Sequence, residues 1–94
     1  MLIPGRPAYV RQVSDSLALA LKRAVRAERS RRGMSQTELA NALGWSQSRV
    51  ASLETGTRRL YADELPEVCA ALGVPLTRLL ADAKKGDMQR LGLA

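Results

Sequence analysis

The sequence predicts a single all-α domain, for three reasons. The 94 residues have the length of one small domain and leave no room for a second core of useful size. Apolar residues make up 46% of the chain and aromatic residues only 3%, so the core must be built mainly from Leu, Ala and Val. Ala and Leu are strong helix formers, and apolar positions recur at helical spacing between Gly and Pro residues.

Three helices are predicted in the first half of the chain. The first covers about residues 15–31, with an apolar stripe opposite a face of Lys and Arg. The second begins with a capping box formed by Ser35 and Glu38, and it ends at Gly44. Ser46 is the predicted N-cap of the third helix. Because the connection is so short, the second and third helices must cross steeply.

Two further helices are predicted in the second half. The fourth ends at Gly73 and the fifth begins at Pro75. Three carboxylates near the start of the fourth helix (Asp63, Glu64 and Glu67) have a spacing that suits capping and contact with solvent. The result is a compact domain of five helices.

The domain boundaries follow from the positions of Pro, Gly and polar residues. Residues 1–13 contain two prolines and a glycine and are interpreted as an N-terminal extension. Residues 14–82 form the helical domain. Residues 83–94 are polar apart from their last leucines, and two glycines weaken any continuous helix, so they are interpreted as a C-terminal tail.

The composition excludes several kinds of active site. The chain has no His, so imidazole catalysis and His metal sites are impossible. The single Cys69 excludes an internal disulfide and a cysteine-rich zinc site. No apolar run has the length of a membrane span, and no signal peptide is evident. We expect a cytoplasmic, nucleoid-associated protein that is not an enzyme and binds no metal, cofactor or membrane.

The charge distribution points to a polyanionic partner. The net charge is +6, and all of it lies in residues 1–33, which hold eight basic and two acidic side chains; residues 34–94 hold seven of each. Basic domains of this kind most often bind nucleic acid. An anionic membrane surface and a merely solvated helix face are the alternatives.

Small and apolar residues occupy particular positions in the window from 36 to 55, which reads QTELANALGWSQSRVASLET. Ala40 falls where two crossing helices would touch, and a larger side chain would separate them. Gly44 falls at the turn, where a positive φ is required. Val50 and Leu53 face inward on the second helix of the pair. Together these positions indicate a helix-turn-helix.

The stretch from Leu21 to Leu80 resembles the phage-repressor type of helix-turn-helix, the XRE or Cro family. The matching segments are RGMSQTELANALG, WSQSRVASLETG and LPEVCAALGVPLTRLL. The resemblance implies a lambda-repressor-like fold with the helix-turn-helix at helices two and three. It also implies binding to double-stranded DNA through the third helix in the major groove.

One face of the third helix carries Gln47, Ser48, Ala51 and Ser52 and no carboxylate. Such a face suits the major groove, where Gln can form two hydrogen bonds with adenine and Ser can bond several base edges. The resemblance implies base contact by Gln47, Ser48 and Ser52. Arg49 lies beside this face, and its role remains open between guanine contact, phosphate contact and structural pairing.

Four residues are candidates for phosphate contact. The resemblance implies this role for Gln36, at the start of the second helix, where backbone amides also point outward. Ser46 is a further candidate at the start of the third helix. Arg58 and Arg59 lie in the loop after that helix and are predicted to bind phosphate, with simple solvated charge as the alternative.

Other positions are interpreted as structural. The resemblance implies an internal ion pair between Arg29 and Glu54. Trp45 and Glu28 replace residues that are usually aliphatic in the family; Trp45 is expected at the edge of the core, and Glu28 makes the inner face of the first helix less regular. Cys69 is expected to be a buried, unreactive thiol.

The predicted function is sequence-specific transcriptional regulation, as a repressor that binds an inverted-repeat operator as a homodimer. A single helix reads few base pairs, and two-fold pairing supplies the rest. The alternative is an antitoxin, in which the same DNA-binding core also binds a protein partner. The apolar residues near the C-terminus, or the extension 1–13, are candidates for the dimer interface; the C-terminal set is Leu76, Leu79, Leu80, Leu91 and Leu93.

Overall fold

A computed structural model describes residues 15–90. These residues form an all-α fold, as predicted, with a single 3-10 turn at Ala62–Glu64. The helices are α1 (Asp15–Arg31), α2 (Gln36–Leu43), α3 (Gln47–Thr55), α4 (Leu65–Leu72), α5 (Leu76–Leu79) and α6 (Lys85–Arg90).

The capping box predicted at the start of α2 is present. The Ser35 hydroxyl accepts a hydrogen bond from the Glu38 amide, and the Glu38 carboxylate accepts one from the Ser35 amide, both at 3.0 Å. The hydrogen bond from the Ser35 backbone lowers the pKa of Glu38. These reciprocal bonds satisfy amides that the first turn of a helix leaves unpaired, and they fix where α2 begins.

The core lies between α1 and the helices that it crosses. α1 packs against α3 and α5, while α2 packs against both α3 and α4. Each helix from α1 to α5 contributes at least one buried aliphatic side chain to a single cluster. Its most deeply buried members are Leu21, Val25, Leu39, Val50, Leu60, Val68, Leu72 and Leu79.

Helix α6 was not expected from the sequence. The Ser16 hydroxyl of α1 donates a 2.5 Å hydrogen bond to Asp87, whose side chain is buried, and Met88 packs against the core. These tertiary contacts override the weak helix propensity of Gly86. The extension 1–13 lies outside the described residues.

The predicted dimer-interface leucines need a correction. Leu79 and Leu80 are only 1% and 2% exposed, because they fill the protomer's own core, and they offer no surface to a second copy. Leu76 is half-buried. Leu91 and Leu93 lie outside the described residues.

Glu28 is a charged residue that is buried on the inner side of α1, where an aliphatic residue would be expected. Its carboxylate accepts hydrogen bonds from Arg31 at 2.6 Å, Arg32 at 2.7 Å and Arg78 at 3.2 Å. Burial by itself would raise the pKa of Glu28, but the hydrogen bond from Arg32 and the positive charges of all three arginines lower it overall. Glu28 therefore ties the end of α1 to α5.

Candidate nucleic-acid interface

The turn between α2 and α3 is set by Gly44. Its φ is 72°, in the left-handed region that glycine adopts without steric cost. The Trp45 amide donates to the Ala40 carbonyl at 2.9 Å, which reverses the chain directly after α2. Ala40 is buried at 1% exposure, where its small side chain lets α3 pack closely against α2. A short helix is thereby held across α2 with its N-terminus fixed by the Ser46 cap.

The structure separates α3 into a buried side and an outer side. Val50, Leu53 and Glu54 are buried. The residues predicted to contact bases lie on the outer side: Gln47 and Ser48 are exposed, and Ser52 is half-buried. This side displays amide and hydroxyl groups on a regular helical scaffold, and an α-helix fits the width of the major groove.

The Gln47 side chain is the end of a hydrogen-bonded chain that starts in the interior. Glu54 accepts from the Gln36 amide group at 3.2 Å, and the oxygen of Gln36 accepts from the Gln47 amide group at 2.7 Å. The Glu54 carboxylate holds the –NH₂ group of Gln36, so the oxygen of Gln36 is turned toward Gln47. The orientation of the Gln47 amide is therefore fixed before any DNA is bound.

The inner end of this chain is the Arg29–Glu54 ion pair. Arg29 donates to both Glu54 oxygens, from Nε at 2.7 Å and from Nη2 at 2.9 Å, and it also donates to the Met34 carbonyl at 2.8 Å. The Glu54 side chain is 3% exposed and that of Arg29 is 15% exposed. The hydrogen bonds with Glu54 raise the pKa of Arg29 above its ordinary value. Because one residue lies on α1 and the other near the end of α3, the pair anchors the C-terminal half of α3.

A second buried carboxylate, Glu64, contacts the other end of α3. Arg49 and Arg58 each donate from Nη2 to the same Glu64 oxygen at 2.9 Å, and the Tyr61 amide donates to the other oxygen at 2.8 Å. Both guanidinium groups also lie over the Trp45 ring, with their central carbons 4.1 Å (Arg49) and 4.7 Å (Arg58) from its centroid.

Glu64 does cap the 3-10 turn, because its carboxylate accepts from the Tyr61 amide, but the expected contact with solvent is wrong, since its side chain is only 3% exposed. Sequence reasoning missed its role because nothing in the order of residues shows that Arg49, Arg58 and Glu64 meet in space. Trp45 is half-buried and packs against the core, but its ring also carries the two guanidinium groups.

The remaining phosphate candidates lie around α3. The Ser46 hydroxyl accepts from the Arg49 amide at 3.2 Å, and Gln36 occupies the first turn of α2. Arg59, in the loop after α3, forms an ion pair with Asp15 at the start of α1. Two basic residues of α1, Arg23 and Arg26, are exposed.

Comparison with known proteins shows which family has this arrangement of helices. A model of the helix-turn-helix family matches residues 25–79, which is more than half of the chain and includes both helices of the motif. The chain belongs to the XRE-type helix-turn-helix family. It is a DNA-binding transcription regulator and not an enzyme.

Solved structures of other regulators with this helix-turn-helix superimpose on most of the chain. The clp gene regulator ClgR from Corynebacterium glutamicum is 33% identical, with a TM-score of 0.68 over 74% of this chain and 91% of that one. The hypothetical transcription factor NHTF from Neisseria is 30% identical, with a TM-score of 0.64 over 94% and 95%. The restriction-modification controller protein C.AhdI from Aeromonas hydrophila is 26% identical, with a TM-score of 0.61 over 66% and 94%.

No curated protein matches the sequence. Within residues 15–90, no helix is both long enough and apolar enough to cross a membrane.

Proposed function

We propose that this helix-turn-helix protein is a repressor that binds an inverted-repeat operator as a homodimer. The proposal rests on one observation above all: the hydrogen-bonded chain from Arg29 through Glu54 and Gln36 presents Gln47 in a fixed orientation on the outer side of α3. A side chain that is ordered before binding loses less conformational entropy when it contacts a base.

The orientation of Gln47 favours adenine as its partner. One hydrogen of the Gln47 –NH₂ group is directed to Gln36. The amide also carries a second N–H and a carbonyl oxygen, and this donor–acceptor pair matches N7 and the N6 amino group of adenine. Ser48 and Ser52 complete the proposed base contacts, because their hydroxyl groups can donate to or accept from several base edges.

Phosphate contacts would position the protein on the duplex. We assign them to Gln36, Ser46 and Arg59. We leave out Arg58, the fourth predicted phosphate contact, because its guanidinium donates to the buried Glu64 carboxylate. The exposed Arg23 and Arg26 add long-range attraction to the duplex. The affinity for DNA would therefore fall steeply as the salt concentration rises.

The homodimer follows from the small size of the reading surface. One α3 helix reaches only a few base pairs, whereas two helices related by a two-fold axis read half-sites ~34 Å apart. Of the leucines proposed for the interface, Leu76 keeps part of its surface exposed. Leu91 and Leu93 remain candidates outside the described residues.

Selection from a pool of random duplexes tests this function. The enriched duplex is then titrated at several salt concentrations with the natural protein and with Gln47→Ala. Arg59→Gln serves as the matched control, since it removes a proposed phosphate contact outside α3 but no base contact. We expect an inverted repeat, and we expect Gln47→Ala to lose discrimination at an adenine position by about fivefold or more.

The control variant should bind all duplexes more weakly while keeping the same base preference. Salt-sensitive binding without any enriched sequence would contradict the proposal. That result would favour the antitoxin alternative, which a copurified protein partner would then support.

A further inference from the structure

We propose that Glu64 is a positioning residue for DNA reading: with Trp45, it holds the N-terminal half of α3 in the orientation from which Gln47 and Ser48 reach the bases. The inference rests on the proposed base contacts. Glu64 lies in the 3-10 turn before α4, away from the outer side of α3, and so acts through other residues.

The contacts of Glu64 join three separate segments. Arg49 belongs to the first turn of α3, Arg58 to the loop that follows α3, and Tyr61 to the segment that leads into α4. All three donate to one buried carboxylate at 2.8 to 2.9 Å. A movement of the start of α3 would therefore break a charge-assisted hydrogen bond to a buried carboxylate, which is costly to leave without its partner.

The Trp45 ring adds a second constraint on the same segment. It lies in the turn between α2 and α3, and both guanidinium groups lie over it with their central carbons within 4.7 Å of its centroid. The ring limits the movement of each guanidinium, while the hydrogen bond to Glu64 fixes where one of its nitrogens lies. We therefore assign Arg49 a structural role, among the three roles that the sequence left open.

The two ends of α3 are then held by two different buried carboxylates. Glu54 pairs with Arg29 of α1 near the C-terminal end, and Glu64 pairs with Arg49 near the N-terminal end. The side chains of Glu54 and Glu64 are both 3% exposed. A nine-residue helix has little stability of its own, so its direction depends on such tertiary contacts.

The chain contains a matched control for this proposal. Glu28 is also a buried carboxylate that accepts hydrogen bonds from arginines, but its partners Arg31, Arg32 and Arg78 lie on α1 and α5. Glu64→Gln and Glu28→Gln therefore make the same chemical change, and only the first is made next to α3.

The experiment compares the affinity of each variant for the duplex enriched by the natural protein with its affinity for a scrambled duplex of the same length and composition. We expect Glu64→Gln to reduce the ratio of the two affinities by about tenfold, as when one specific base contact is lost. Glu28→Gln should leave the ratio unchanged even where its unfolding midpoint is lower. Equal ratios for the two variants would overturn the proposal.

Arg49→Met provides a second test if Glu64→Gln does not fold. A positioning role predicts a smaller affinity ratio with an unchanged salt dependence on the scrambled duplex. If Arg49 instead contacts a phosphate, the slope of log K against log salt becomes shallower by about 0.9 and the ratio stays constant. That second result would overturn the proposal.

A readout without DNA separates this inference from the proposed function. Trp45 is the one tryptophan of the sequence, so its fluorescence reports the environment of the turn without interference from another indole. If the natural protein enriches no duplex, the proposed function fails, and acrylamide quenching of Trp45 still tests the structural part of the inference, that Glu64 holds the turn before α3. More effective quenching in Glu64→Gln than in Glu28→Gln supports it, and equal quenching overturns it.

Discussion

Replacing Arg29 with Met tests how far the Arg29–Glu54 pair stabilises the fold. The change keeps an unbranched apolar stem but removes two hydrogen bonds to Glu54 and one to the Met34 carbonyl. Removing one partner of a buried ion pair typically costs about 3–5 kcal/mol, because the other charge remains buried. Arg29 keeps 15% of its side-chain surface and Gln36 still donates to Glu54, so we expect the lower end of this range.

The predicted loss is therefore about 3 kcal/mol in the free energy of unfolding. In a domain of this size it corresponds to a fall of about 12–24 °C in Tm. Urea unfolding followed by circular dichroism measures the loss directly, since the slope of free energy against denaturant should not change between variants.

A double-mutant cycle with Glu54→Gln shows whether the loss comes from the pair itself. Once Glu54 carries no charge, removal of the guanidinium should be much less costly, with a coupling energy of about 2 kcal/mol. A coupling energy below about 0.5 kcal/mol would refute the reasoning, because it would mean that the two side chains stabilise the protein independently.

Three further predictions concern the fold around the interface. Gly44→Ala should cost about 1–2 kcal/mol in urea unfolding, from the positive φ alone, because an added Cβ meets no atom within 4 Å; a loss well above this would indicate a steric clash instead. The pKa of Glu28 is lowered in the folded protein, so the stabilisation by its charged carboxylate is complete above the ordinary pKa of 4.5 and is lost as the pH falls through the lowered pKa. Urea midpoints between about pH 3 and about pH 7 should therefore depend less on pH in Glu28→Gln than in the natural protein. Burial raises the pKa of the Cys69 thiol, so an alkylating reagent should modify Cys69 only under unfolding conditions, and rapid labelling of the native protein would contradict this.

Features that depend on local sequence were predictable. The capping box at Ser35 and the glycine turn at Gly44 each require particular residues at fixed offsets, and the structure has both where the sequence placed them. The same is true of the apolar stripe of α1, because a helix repeats every 3.6 residues and the pattern can be counted.

Features that depend on contacts between distant residues were not predictable in the same way. Glu64 looks like a surface carboxylate in the sequence, and Glu28 only makes the inner face of α1 less regular, yet both are buried by arginines that belong partly to other elements. Helix α6 exists although it contains Gly86, and its Asp87 is held by Ser16, 71 positions earlier in the chain. No local pattern encodes such pairings.

The positions of the charged residues separate stability from recognition in this domain. The carboxylates of Glu54 and Glu64 hold α3 from its inner side and from its flank, and neither belongs to the outer side of the helix. Gln47, Ser48 and Ser52 lie outside the buried core, so other side chains at these positions would leave the ion pairs and the core packing unchanged. On the proposed base contacts, a change of base preference would require substitutions only on the outer side of α3, provided that Gln36 can still orient whatever replaces Gln47. That condition makes position 47 the most constrained of the three proposed reading positions.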